Sequence, residues 1–282
     1  NRDAGTITSQ STTVLGPESN YTVTKYNHPT NGKEQSYAIT YSPGGNIQPV
    51  VAYGSKLYGT STIQRISSYL GGEGYHVIGG INADFFSLKT GLPLGMVAVD
   101  GELRSSDAGA PAVCFRKDGS AFLSYPNLTF SLKNNTKGKT IQVEHFNKYR
   151  QPYALYLLSD DFSATTRTTS AGKEIYFKPV GSDKVPVSGT MELEVVKVAE
   201  SSGAVSIPAG QLVLTADKNF AQISRMDGFS VGDKVTLTVG SSDSRMKDTV
   251  MAVGGGDVLV NNGQVGSNLS AGVHPRSAIG IK

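Results

Sequence analysis

The stretch Lys139-Thr-Ile-Gln-Val-Glu-His-Phe146 has the residue pattern of a β-strand, with Ile141 and Val143 placed between polar neighbours. Turn residues separate it from further strand patterns, and few helix patterns compete with them between residues 126 and 249. Short strands at such regular spacing predict a small β-barrel or sandwich. The further strand patterns cover residues 153–158, 174–177, 191–198, 211–215 and 234–239.

The residues before this region combine strand patterns with one helix pattern. A helix is predicted from Ser61 or Thr62 to Gly71-Gly72, with its apolar face formed by Ile63, Ile66, Tyr69 and Leu70. Residues 1–20 are rich in Thr, Ser and Asn, which predicts a flexible, frayed arm or a strand at a sheet edge. Strands are predicted over residues 21–26, 36–41, 48–53 and, as a buried strand, 75–81.

Together these patterns predict an α+β fold. Its core is a β-rich mixed sheet with few helices, interrupted by a mostly β insertion that forms a small barrel or sandwich.

Composition excludes several function classes. The chain has 282 residues, of which 38% are hydrophobic and 17% charged, and its net charge is +3 from 26 basic and 23 acidic residues. So small a surplus, spread along the chain, attracts phosphate backbones weakly, and we expect no nucleic-acid partner. Apolar stretches fall far short of the roughly 20 residues that a bilayer span requires, so no membrane span is expected.

Metal chemistry has little support in the sequence. Cys114 is the single cysteine, which excludes an intramolecular disulfide and a cysteine-built zinc site, and the four histidines are widely separated. We therefore expect neither a metal nor a cofactor. Low charge, frequent Ser and Thr and little Cys are typical of a bacterial secreted or cell-surface protein, and the start at Asn1 suggests removal of a signal peptide. A cytosolic protein is the alternative.

The first candidate site is the stretch Gly79-Gly-Ile-Asn-Ala-Asp-Phe-Phe86, followed by Gly91-Leu-Pro-Leu-Gly95. In an extended chain alternate side chains share one side, which places Asn82 and Asp84 together, and glycines let a ligand approach the backbone. The functional interpretation is a carboxylate acid, base or ligand group beside an amide that binds a substrate hydroxyl. The alternative, favoured by spacing alone, is an Asx-turn at a strand end.

The second candidate is a run of three glycines, Gly254, Gly255 and Gly256, after a predicted strand. Consecutive backbone N–H groups can form a nest that binds an anion. Neither a P-loop nor a dinucleotide-binding fingerprint is complete here. The alternative, which the pattern alone favours, is a bulge and hairpin with Asn262-Gly263 as its type I′ turn.

The third candidate is His274-Pro-Arg-Ser-Ala-Ile-Gly280. Arg276 presents a planar fork that suits two oxygens of a phosphate or carboxylate, and the hydroxyl of Ser277 can add a further hydrogen bond. His274 belongs to the residue type that titrates near neutral pH. A solvated arginine and a histidine packed beside a proline fit the same pattern.

Taken in this order, the three stretches resemble the phosphodiester glycosidase family. That family includes the uncovering enzyme, N-acetylglucosamine-1-phosphodiester alpha-N-acetylglucosaminidase, and bacterial secreted relatives. Ser277 stands where the family has Thr, a change that keeps the hydroxyl. The motifs that carry the resemblance are residues 80–86, the Gly-x-Pro-x-Gly turn at 91–95, the Asp100-Gly101 hairpin, residues 116–119, the glycine turn ending in Leu-Val-x-Asn-Gly at 259–263, and residues 276–280.

The resemblance also implies a division of the chain and a missing part. Residues 21–125 would be the first part of the glycosidase core, 126–249 an inserted β-rich subdomain and 250–282 the continuation of the core, after an arm at 1–20. The family continues with a strand bearing Asp-Gly-Arg, a helix and an Asn-x-Asp-Gly-Gly-Gly-Ser stretch that this sequence does not contain. We therefore expect a truncated, proteolysed or nicked chain whose missing C-terminal segment is a partner of the site.

The function implied by the resemblance is hydrolysis of a sugar-1-phosphodiester, of the GlcNAc-1-phosphodiester type, in an extracellular or cell-wall glycoconjugate. The expected partner is thus a sugar-phosphate or glycan substrate. Its phosphate would be bound by Arg276, Ser277 and the backbone of residues 254–256, with His274 beside it. Asp84 would act as acid, base or electrostatic group, and Asn82 would bind a sugar hydroxyl.

Two other function classes stay open at this point. One is a noncatalytic wall- or polysaccharide-binding protein with a vestigial core, which the absence of Trp weakens because sugar platforms favour large aromatic faces. The other is an intracellular nucleotide-binding protein, weakened by the incomplete phosphate-loop patterns.

Overall fold

The structure is a computed structural model of the chain and describes residues 5–43, 46–267 and 269–282. Strands make up 41% of it and helical segments 7%, and one of its sheets is a nearly closed, barrel-like mixed sheet of eight strands. The predicted β-rich fold with few helices and a small barrel is confirmed.

The N-terminal part is a three-stranded antiparallel meander. It consists of β1 (Thr6–Gly16), β2 (Ser19–His28) and β3 (Gly32–Tyr41), with β2 in the middle. Of the two alternatives for the N-terminal residues, those in β1 adopt the edge strand. The described residues between the meander and the α-helix, 42–43 and 46–62, form no strand.

Helix α1 (Ile63–Gly72) begins and ends where its caps predict. The side chain of Thr62 accepts a hydrogen bond from the amide of Arg65 at 3.3 Å, the arrangement expected of an N-cap threonine. No residue of α1 is buried, and Ile63 on its apolar face is 46% exposed. Capping therefore explains the bounds of this helix better than core packing does.

Two predicted strands are wrong. Residues 48–53 and 75–81 form no strand, and the apolar side chains of Tyr75, Val77 and Ile81 are exposed rather than buried. A short apolar run becomes a strand only where a neighbouring strand pairs with it, and the described residues offer none here.

A five-stranded sheet brings distant parts of the chain together. Its order is β5-β4-β16-β6-β7, and β16 pairs antiparallel with both β4 and β6. The Asp100-Gly101 hairpin has the positive φ values of a type I′ turn, as predicted. These strands are β4 (Val97–Val99), β5 (Glu102–Ser105), β6 (Ala112–Arg116), β7 (Ala121–Ser124) and β16 (Thr249–Gly254).

The strands between β7 and β16 form the eight-stranded sheet. They are β8 (Thr129–Asn134), β9 (Lys139–Val143), β10 (His145–Phe146), β11 (Tyr156–Ser159), β12 (Gly172–Pro179), β13 (Gly189–Ser201), β14 (Leu212–Asp217) and β15 (Lys234–Gly240). Their order is β10-β11-β14-β12-β13-β15-β8-β9, antiparallel except for the parallel pair β10-β11. The ring of Phe146 stacks on that of Phe130 at 6.0 Å, which brings the two ends of the sheet together.

One hydrophobic cluster joins the two larger sheets. It contains Met96 and Cys114 from the five-stranded sheet and Leu132, Phe177 and Leu237 from the barrel, all of them buried. The barrel lies between β7 and β16 in the sequence, and a shared hydrophobic core packs it against the five-stranded sheet. The exact division of the chain into arm, core and insertion stays a prediction.

The chain ends in short elements and irregular backbone. Two 3-10 helices span Ile223–Met226 and Ser244–Asp248, and β17 (Val260–Asn261) and β18 (Gln264–Val265) form a hairpin. Asn262 and Gly263 have positive φ values in the turn of that hairpin, as the sequence predicts. Across the described ranges, no helix has both the length and the apolar character needed to cross a membrane.

Candidate functional site

Asp84 lies at the base of a narrow loop that leads into β4, opposite Gly95. Its carboxylate accepts a hydrogen bond from the amide of Gly95 at 2.6 Å. The loop between them is held by backbone bonds of 2.9 Å, from Ser87 N–H to the carbonyl of Leu92 and from Leu94 N–H to that of Phe85. The donor, Gly95, is eleven residues further along the chain, whereas an Asx-turn would use an amide two residues away.

Two glycines make room for this carboxylate. A Cβ atom at Gly254 would lie 2.6 Å from the Cα of Gly95 and 2.8 Å from a carboxylate oxygen of Asp84. A Cβ at Gly95 would lie 2.8 Å from the Cα of Gly254 and 2.9 Å from the same carboxylate oxygen of Asp84. Because real Cβ contacts are never so short, any other residue at either position would push the two backbones apart. The first and second predicted stretches therefore meet at Asp84.

The predicted anion nest is wrong for two of its three residues. The amide of Gly254 donates to the carbonyl of Met96 at 2.8 Å, and that of Gly255 donates to the carbonyl of Pro111 at 3.0 Å. Each amide has one hydrogen, so these bonds use both donors to extend the sheet around β16. Gly256 instead lies against Phe85, since a Cβ there would be 3.1 Å from the Phe85 ring.

Lys148 completes the cluster and was missed from the sequence. Its ammonium group donates to the carbonyl oxygens of Pro93 and Leu94 at 2.9 Å each, and to that of Gly95 at 3.0 Å. This lysine follows β10 in the barrel region, so the contact ties the barrel to the loop of Asp84. A single lysine two residues after a strand carries no local signal of such a role.

Burial shifts the pKa values of both charged groups. Burial raises the pKa of Asp84, although the amides of Gly95 and Phe85 and the charge of Lys148 lower it. Burial lowers the pKa of Lys148 to about 8, against the opposing effect of Asp84 and Asp107. A carboxyl group whose pKa is raised by burial keeps its proton to higher pH, which suits it to proton transfer.

The remaining predicted residues are exposed, and no hydrogen bond described for them joins them to this cluster. Asn82, His274, Arg276 and Ser277 all face solvent. The guanidinium of Arg276 is 3.4 Å from the carbonyl oxygens of two residues of its own segment, so its described hydrogen bonds do not join it to Asp84. The structure therefore brings together Asp84 and the glycines, but not the proposed phosphate ligands.

Exposed apolar side chains surround Asp84. Phe85 is 62% exposed and Phe86 50%, and Leu88 and Leu94 on the same loop are also exposed. Aromatic faces of this kind can stack on the apolar face of a sugar ring. Within the residues that the structure describes, no three His, Cys, Asp or Glu side chains converge in the manner of metal ligands.

Solved structures of other proteins share the fold of this chain, and two of them are described below. A hypothetical protein from Synechocystis superposes with a TM-score of 0.72 at 15% sequence identity, over 94% of this chain and 46% of its own. A protein from Burkholderia pseudomallei whose name describes it as exported has a TM-score of 0.50 at 15% identity, over 85% of this chain and 50% of its own. The chain thus spans about half the length of each of these proteins.

Comparison of the sequence with known proteins and families matches part of the chain. No curated protein sequence matches the chain. The matched part begins in β13, includes the glycine run and Arg276, and leaves out Asp84. Residues 190–282 match the model of the phosphodiester glycosidase family.

Proposed function

We propose that this chain carries the catalytic core of a glycosidase that hydrolyses a sugar-1-phosphodiester of the GlcNAc-1-phosphodiester type. One observation carries the proposal: the glycine run within the family-matched segment closes directly on Asp84. Gly254 and Asp84 come from opposite sides of the barrel region in the sequence, and the backbone contact admits only glycine. A close approach of this kind is expected where a fold holds a reactive carboxylate in a fixed place.

The proposed reaction breaks the bond between the anomeric carbon and the phosphate oxygen. The phosphate monoester leaves with the bonding electrons, and the sugar passes through an oxocarbenium-like state. Water then adds its oxygen to the anomeric carbon and loses one proton, to Asp84 or to solvent. Asp84 assists by proton transfer or by stabilising the positive charge that develops on the sugar. Its raised pKa favours the proton-transfer role, because burial keeps this carboxyl group protonated to higher pH.

The phosphodiester requires a cationic ligand, and Arg276 is our candidate. Its hydrogen bonds to backbone carbonyls are long, at 3.4 Å, which leaves the exposed guanidinium able to turn toward two phosphate oxygens. Ser277 would add a hydroxyl donor, Asn82 would bind a sugar hydroxyl, and His274 would lie beside the phosphate.

The surroundings of Asp84 support the substrate class, and a protein of similar fold supports its location. The exposed rings of Phe85 and Phe86 offer a platform for a sugar ring. The exported relative from Burkholderia pseudomallei supports an extracellular or cell-wall glycoconjugate as the substrate.

The test is release of free sugar from a GlcNAc-1-phosphodiester by the protein as its gene encodes it. We expect Asp84→Asn to lower kcat by about 10²- to 10⁴-fold, the usual contribution of a general acid or base. Arg276→Ala should lower kcat/KM by roughly 10-fold or more, because a charge-assisted phosphate contact is lost. The matched controls, Asp248→Asn and Arg65→Ala, change exposed residues away from the cluster and should leave activity unchanged.

Two outcomes would overturn the proposal. Activity that survives both Asp84→Asn and Arg276→Ala would remove these residues from the site. Absence of sugar release, together with retained binding to cell-wall polysaccharide, would identify the noncatalytic binding protein instead.

A further inference from the structure

We infer that Lys148 is a positioning residue for Asp84, fixing both the loop that orients the carboxylate and a positive charge beside it. This inference deepens the proposed function and rests on it for its catalytic meaning. The geometric part stands on the hydrogen bonds of Lys148 and on how the barrel holds this lysine.

The ammonium group of Lys148 is fully engaged. It has three hydrogens, and three consecutive carbonyl oxygens, those of residues 93–95, lie 2.9 to 3.0 Å from its nitrogen. A neutral amine has only two hydrogens and could not satisfy all three acceptors. Lys148 therefore acts here as a cation with a fixed position. It is not placed as a free nucleophile or base.

The third of these carbonyls belongs to the residue that binds Asp84. Gly95 accepts from Lys148 through its carbonyl and donates to the Asp84 carboxylate through its amide. A movement of the lysine would therefore turn the same residue that sets the position of the carboxylate.

The barrel holds Lys148 rigidly through the residue before it. Asn147 is fully buried with φ of 53°. Its side-chain amide donates to the carbonyl of Arg104 at 2.7 Å and to the hydroxyl of Ser159 at 2.8 Å, and its side-chain oxygen accepts from the Ser159 amide at 2.8 Å. A left-handed asparagine with every side-chain group bonded keeps the next residue in one direction.

The charges around the pair define the expected pH effect. The charge of Lys148 and the amides of Gly95 and Phe85 lower the pKa of Asp84. The charges of Asp84 and Asp107 raise the pKa of Lys148. The charge of Lys148 in turn lowers the pKa of His145. Asp107 is buried and accepts hydrogen bonds from the amides of Gly109 and Leu128. As a carboxyl group it cannot supply the positive charge that Lys148 places near Asp84.

Lys148→Met should therefore shift the pKa of Asp84 in a defined direction. Loss of this positive charge raises the pKa of the Asp84 carboxyl, because the charge of Lys148 lowers it in the wild type. The limb of the pH profile of kcat/KM that reports Asp84 should move to higher pH, and kcat should fall about 10- to 100-fold because the carboxylate is no longer held in place. Lys148→Arg keeps the charge but not the convergent geometry, so it should lower kcat with a smaller shift.

The deciding measurement is the titration of Asp84 followed by ¹³C NMR of the aspartate carboxyl carbons, with Asp84→Asn to assign the signal. Lys33→Met, an exposed lysine in β3, is the control and should leave the titration unchanged. Melting temperatures show whether each variant is folded. If Lys148→Met does not fold, the same titration on Lys148→Gln, which also removes the charge but keeps a hydrogen-bond donor, decides.

Failure of this inference differs from failure of the proposed function. An Asp84 pKa and a pH profile that are the same in the wild type and the Lys148 variants would overturn the positioning role. An Asp84 pKa that shifts as expected in a protein that releases no sugar would leave the positioning role standing and overturn the glycosidase.

Discussion

The carboxylate of Asp84 accepts a 2.6 Å hydrogen bond from the amide of Gly95, in a space that exists because Gly95 and Gly254 both lack side chains. The bond depends on the five-stranded sheet, since β16 ends at Gly254 directly against the start of β4. Sheet pairing and the candidate site are thus one structural unit, and changes to the backbone contact should affect both.

Gly254→Ala should destabilise the fold and displace Asp84. The added Cβ would meet backbone, at 2.6 Å from the Cα of Gly95, and backbone cannot move away as a flexible side chain can. Forcing an atom into a packed contact costs about 1–3 kcal/mol. We expect the free energy of unfolding in urea to fall by that amount, and sugar release to fall further than the loss of folded protein explains.

The neighbouring glycine provides a matched control for stability. A Cβ at Gly255 meets nothing within 4 Å, so Gly255→Ala should change the free energy of unfolding by less than about 0.5 kcal/mol. Equal losses in the two variants would show that backbone flexibility of the glycine run, rather than the contact with Gly95, matters at this site.

Arg150→Met should be among the most destabilising changes in the barrel. The side chain of Arg150 is 1% exposed and lies beside the buried carboxyl groups of Glu174 and Asp217. It also donates to the hydroxyl of Thr215 at 2.9 Å and to that of Ser170 at 3.0 Å. Removing one partner of a buried ion network leaves uncompensated charge, at a cost of about 3–5 kcal/mol in unfolding experiments.

An exposed ion pair gives the comparison for Arg150. Lys234 pairs with Glu194 on the surface, where solvent screens the charges, so Lys234→Met should cost less than about 1 kcal/mol. If both substitutions cost the same, the network around Arg150 contributes no more than a surface pair.

Features set by local chemistry could be predicted from the sequence. The Asp100-Gly101 and Asn262-Gly263 turns have the positive φ values that these residue pairs favour, and α1 begins at the threonine whose side chain caps it. Most strands of the barrel could be predicted for the same reason, because alternation of side chains is a local property, although β8 is not among the predicted strands.

Features set by long-range contacts could not be predicted. Residues 75–81 have the apolar pattern of a strand but no paired neighbour, and the amides of Gly254 and Gly255 bond to carbonyls far away in the sequence. Lys148 reaches the Asp84 loop only because the barrel packs against the five-stranded sheet. Which residues meet across sheets depends on the topology of the fold. Local sequence patterns do not specify that topology.

The carboxyl group of Glu102 should make the stability of this protein depend on pH near neutrality. Burial raises its pKa from 4.5 to about 7, assisted by the charge of Asp161 and opposed by Arg104, which lies 3.0 Å away. The folded state therefore holds this proton more tightly than the unfolded chain does. Stabilisation is complete below about pH 4.5 and is lost as the pH rises through 7, up to about 3 kcal/mol for a shift of this size. Urea unfolding of the wild type and of Glu102→Gln between pH 5 and 8 measures this effect, because the variant cannot titrate there. The stability of the wild type relative to the variant should fall with rising pH; a rise would mean that the ion pair with Arg104 outweighs the cost of burying the charge.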